Sequence, residues 1–182
     1  MNTLPELISS RLTLLVVDGP AHALWPALVA RLALRPTPEG GVRLRVVDAG
    51  NCFAAYAIAR QVRRVTADLP GVLQRIQVAR AFTCYQVLTL LESAPVAAAP
   101  LLALDLLSTF YDENVRLAER QRLLLRCAVE LKRLSRPAPV GALVSLRAGH
   151  PNNPALLKIL ESAADQIWRF EPERSPPPTR LF

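Results

Sequence analysis

Short apolar runs alternate along the whole chain with stretches of helical periodicity, and this alternation constrains the fold more than any other feature. The runs "RLTLLVVD" (11–18), "VRLRVVDAG" (42–50), "VLQRIQVARAF" (72–82), "APLLALDLLSTFY" (99–111), "APVGALVSLRAG" (138–149) and "DQIWRFEP" (165–172) read as strands. Between them, residues 21–34, 53–69, 83–93, 113–135 and 155–163 carry apolar positions at helical spacing. Pro26 belongs in the first turn of the first helix, and Pro70-Gly71 stops the second. The nearly unbroken apolar run at 99–111 implies burial on both faces, as in a parallel sheet. Strict alternation of strand and helix predicts an α/β fold, with a mostly parallel central sheet and right-handed crossovers covering both faces. Ligands in such sheets bind at the carboxyl ends of the strands.

The 182 residues suit one domain, predicted over 1–171, followed by a proline-rich flexible tail at 172–182. Hydrophobic residues make up 51% and aromatics only 5%, so the core must be built from Leu, Val, Ala and Ile. The most apolar stretch, 94–110, is interrupted by Pro95, Pro100 and Asp105, which argues against a membrane span. "MNTLPELISS" has neither a basic start nor an apolar core, so no secretory signal is expected and the chain reads as cytoplasmic. Cys52, Cys84 and Cys127 are odd in number and unpaired in spacing, as expected for reduced thiols. With His22 and His150 the only histidines, no metal-binding spacing exists, and no cofactor is expected. The net charge is +7, carried almost entirely by arginine; Lys132 and Lys158 are the only lysines. Such an excess suits an anionic partner such as nucleic acid. Arginine beside abundant Ala, Leu and Pro is also what a GC-rich coding sequence produces.

Three aspartates, Asp18, Asp48 and Asp105, fall at the carboxyl ends of predicted strands. An apolar strand ending in aspartate, as at "PLLALD", has the layout of a Walker B motif, where the carboxylate holds Mg²⁺ through water. The phrase Ala79-Arg80-Ala81-Phe82 with Gln86 a few residues on, the Asp105 strand, and a long helix containing "ERQ" follow one another in a telling order. In that order and spacing the chain resembles the ATPase core of the RecA/RadA recombinases over roughly residues 11–171. The resemblance implies a RecA-like P-loop NTPase fold.

The departures from that pattern carry the functional expectation. A phosphate loop reads G-x-x-x-x-G-K-[ST]: backbone N–H groups wrap the phosphates, the lysine neutralises them and the hydroxyl reaches Mg²⁺. With Gly19 at the first glycine, Leu24, Trp25 and Pro26 stand where the second glycine, the lysine and the hydroxyl belong. The family's catalytic glutamate falls at Gly50, and the glutamine that couples nucleotide state to DNA falls at Arg147. The long DNA-binding loop that follows is shortened to about "AGHPNNP". The resemblance therefore implies a degenerate nucleotide site around Gly19, Trp25 and Asp105, and no catalytic residues.

It further implies an accessory protein of DNA recombination or repair, with a protein partner or self-association through a RecA-type interface. Single-stranded DNA is a second implied partner. Arg116, Arg120 and Arg122 in the first DNA-facing region, with Arg147 and Lys158 at the shortened second loop, are placed to reach phosphates. Phe110 or Tyr111 would stack on a base. The competing reading pairs Glu113, Glu119 and Glu130 with nearby arginines on a solvated helix face. Two other functions stay open: an ATPase with an atypical phosphate loop, and an interaction module unrelated to DNA.

Overall fold

The computed structural model describes residues 6–18, 24–35 and 43–170. Six strands form one sheet: β1 (Leu12–Asp18), β2 (Leu44–Asp48), β3 (Ile76–Arg80), β4 (Leu101–Leu104), β5 (Val140–Leu146) and β6 (Gln166–Phe170). Their order is β3-β2-β4-β5-β1-β6, and every neighbouring pair runs parallel. Helices α1 (Leu24–Ala33), α2 (Ala55–Arg63), α3 (Leu69–Gln74), α4 (Cys84–Ser93), α5 (Leu117–Ser135) and α6 (Asn153–Ala163) connect them. The expected α/β architecture with helices on both faces is present.

The two faces can be read from the alternation within the strands. In β1, Leu12, Leu14 and Val16 pack with α4, α5 and α6, whereas Leu15 and Val17 pack with α1 and α2. In β4, Leu101 and Ala103 point to the first group and Leu102 and Leu104 to the second. All of these residues are buried, which is why the central strands read as continuous apolar runs. The outer strands β3 and β6 each have one open edge, and they alone carry mostly exposed or half-exposed residues.

Two predicted elements differ from the structure. Residues 72–82 are not one strand: α2 ends at Arg63 and a separate helix, α3, occupies Leu69–Gln74 before β3 begins. Pro70 stands in the first turn of α3, and the Asp68 side chain accepts the Gly71 N–H at 3.0 Å. A proline in the first turn with an aspartate cap starts a helix, so the signal taken as a stop is a start. The run at 99–111 is likewise only a four-residue strand. Asp105 takes a left-handed φ of 47°, which ends β4, and a 3₁₀ turn follows at Ser108–Tyr111.

The helices begin and end close to the predicted bounds elsewhere, with α5 starting at Leu117 rather than 113. Arg60, Arg63 and Arg64 face solvent as expected. Among the described residues no helix is long and apolar enough to cross a membrane.

Candidate functional site at the carboxyl edge of the sheet

From β2 the chain passes to α2 and α3 on one face of the sheet; from its neighbour β4 it passes to α5 on the other. Adjacent strands whose connections leave to opposite faces open a crevice between their carboxyl ends. A cleft of about 340 Å³ lies there, lined by residues 49–51, 81–82, 108–109, 111–112 and Arg147. The connections that follow β5 and β1, also neighbours in the sheet, likewise leave to opposite faces. Gly19 and the rest of 19–23 lie outside the described residues.

Asp48 and Asp105 end the two strands that border the cleft, and their roles diverge. The Asp48 carboxylate is fully buried. It accepts the backbone N–H groups of Cys52 at 2.9 Å and Phe53 at 3.1 Å, and Arg80 Nε donates to it at 3.3 Å. All of its visible partners are structural: it folds the β2–α2 loop and ties it to β3. The Asp48 charge also helps burial push the neighbouring Cys52 thiol up to about 12, which leaves that half-buried sulfur protonated and unreactive.

Asp105 accepts the Ser145 backbone N–H at 3.0 Å, bridging β4 to β5. Burial, with the Asp48 charge added, raises its pKa above the usual carboxylate range, although the Arg147 guanidinium partly opposes this. Gly50 lies directly against it. A Cβ built on Gly50 would come within 2.5 Å of the Asp105 Cβ and 2.7 Å of its Oδ2. The position expected to carry a general-base glutamate in the resembling family therefore has no room for any side chain while Asp105 stays where it is.

Trp25, in the first turn of α1, is 2% exposed and packs in the core with Leu15, Val17 and Leu28. A lysine there would face the core. The residues of the expected phosphate loop that precede Trp25, 19–23, lie outside those described.

The predicted arginine sites separate sharply. Arg120 is buried, with Nη1 donating to the Phe110 carbonyl at 3.0 Å, so it holds the 3₁₀ turn and does not reach solvent. Phe110 and Tyr111 are buried as well, which corrects the expectation that either stacks on a base. Arg122 is exposed but engaged by Glu119 through two contacts of 2.8 and 2.7 Å, and Glu130 pairs with Arg133; both match the competing reading of a solvated face. Glu113 makes no ion pair among the described residues. Arg116 and Lys158 are exposed without a carboxylate partner among the described residues.

Arg147 is different. Its guanidinium sits 4.6 Å from the centre of the Tyr111 ring, which in turn lies 4.6 Å from the His150 ring. Tyr111 Oη donates to Asn153 Oδ1 at 2.6 Å, and Asn153 Nδ2 donates to the Arg147 carbonyl at 2.6 Å. Burial pushes the Tyr111 hydroxyl up to about 12, so it remains a donor. This network fastens the loop after β5 to the 3₁₀ turn after β4, and it presents an exposed arginine at the cleft.

No protein-family model matches the chain, and no curated protein is detectably similar to it. Its functional reading therefore rests on the residues themselves.

One cleft-lining residue was not singled out as a site residue by the sequence reading. Phe82 lines the cleft and is 69% exposed. Its backbone is fixed by the start of α4: Thr83 Oγ1 accepts the Gln86 N–H at 3.2 Å, and Gln86 Oε1 accepts the Phe82 N–H at 2.8 Å. That reciprocal arrangement is a variant of the capping box. It accounts for the spacing of the Ala-Arg-Ala-Phe phrase and its glutamine, which was the available signal.

Proposed function

We propose that this chain is a non-catalytic RecA-like core that serves as an accessory, partner-binding protein in DNA recombination or repair, acting in the cytoplasm and contacting single-stranded DNA weakly. The observation that carries the reading is the packing of Gly50 against Asp105. A strand-terminal carboxylate is retained at the carboxyl edge of a parallel sheet, but it is half-buried, one of its oxygens is bonded to the Ser145 N–H, and Gly50 leaves no room beside it for a catalytic side chain. The core position of Trp25, where a phosphate loop would place its cation, supports the same conclusion.

The DNA part of the reading rests on exposed Arg116, Arg147 and Lys158, with Arg120 removed from the set and Arg122 shared with Glu119. The test is fluorescence anisotropy of a labelled single-stranded oligonucleotide titrated with the protein at several salt concentrations. The reading predicts binding at low salt that weakens as salt rises, with a shallow dependence set by so few phosphate contacts. Absence of binding at the lowest salt would remove DNA from the account and leave protein partners alone.

A further inference from the structure

We propose that the cleft between the carboxyl ends of β2 and β4 receives a single nucleobase together with its phosphate, the base stacking on Phe82 and the phosphate meeting Arg147. The proposal rests on the DNA reading above and names the site within it. Phe82 is a large apolar side chain left 69% exposed at the mouth of a polar cleft, on a backbone pinned by Gln86. An exposed aromatic face with a fixed backbone is the element on which bases stack, whatever their identity.

The cleft, at about 340 Å³, stands at the small end of the ~300–1,000 Å³ range of ligand pockets, which suits one base rather than two. Its wall offers both hydrogen-bonding senses. Asn51, in a left-handed conformation, and Ser108 contribute a side-chain amide and a hydroxyl. Asp112 keeps one carboxylate oxygen free, since its Oδ1 alone is engaged by Asn114. Thr109 also lines the cleft; it is 8% exposed, and its Oγ1 has no hydrogen-bond partner. Arg147 supplies the cation: it has no carboxylate partner among the described residues and is braced on the Tyr111 ring.

The same chemistry arrives either as an unpaired base of a DNA strand or as a free nucleotide. The experiment uses the full chain, wild type and Phe82→Ala, with anisotropy of labelled dT12, the same strand with abasic sugars, and calorimetric titration of dTMP. Phe82 is exposed, so the variant should melt with the wild type. The expected result is a loss of about tenfold in dT12 affinity for Phe82→Ala, with the abasic strand already weak and indifferent to the substitution. In addition, Arg147→Gln should lower the slope of log affinity against log salt by about one.

If dT12 and the abasic strand bind wild type and Phe82→Ala alike, the cleft proposal is overturned while the DNA reading stands. If dTMP binds in a Phe82-dependent way and dT12 does not bind, the cleft proposal holds for free nucleotides and the DNA reading falls. If neither binds, both fall.

Discussion

Asp105 sits in a left-handed backbone conformation, half-buried, with one carboxylate oxygen bonded to the Ser145 N–H and Gly50 pressed against it. Because burial raises its pKa, the folded protein holds this proton more tightly than the unfolded chain does. Its contribution to stability is thus fully present below the carboxyl range of the unfolded chain and is lost as pH rises through the raised value. Asparagine keeps the acceptor for Ser145 at every pH and tolerates the left-handed region. The variant Asp105→Asn should therefore melt close to wild type near pH 4 and above it at pH 7, as followed by circular dichroism. A wild type that is the more stable at pH 7 would mean that the ionised carboxylate is favoured here. That this aspartate ends a strand could be read from "PLLALD" alone. That Gly50 packs on it could not, because the contact joins residues 55 positions apart and depends on strand order.

The elements show the same division. The strands and most helices were legible because burial on two faces leaves continuous apolar runs, while surface helices keep a polar side. The break between α2 and α3 was misread because Pro-Gly signals a stop unless an aspartate ahead of it caps a new helix, as Asp68 does. Burial of Arg120 and Phe110 was illegible for a related reason: the 3₁₀ turn after Asp105 rolls Phe110 inward and takes the Arg120 guanidinium with it. At α1, Trp25 is part of the core. Trp25→Ala should cost about 3–5 kcal/mol, as large aromatic truncations do. Trp25→Lys, which would restore the cation of a phosphate loop, should cost at least as much because its ammonium has no partner there. Chemical denaturation measures both. A Trp25→Lys protein as stable as wild type would show that this position opens to solvent at the carboxyl edge.

Across the whole molecule, many of the cations behind the net charge of +7 are already engaged within the fold. Arg80, Arg122, Arg126, Lys132, Arg133 and Arg169 are tied to carboxylates, and Arg120 is buried. Several of these pairs are architectural: Lys132 joins α5 to Asp165, which also accepts the Leu12 N–H where β1 begins. What remains at the carboxyl edge is a small polar cleft with one exposed aromatic and one braced arginine, beside a strand-end carboxylate packed against Gly50. The proposed function requires that this carboxyl edge not hydrolyse ATP. The most direct measurement is phosphate release from Mg-ATP by the full chain, with and without single-stranded DNA. The account predicts release indistinguishable from buffer under both conditions. Saturable, Mg²⁺-dependent turnover that Asp105→Ala abolishes would contradict it.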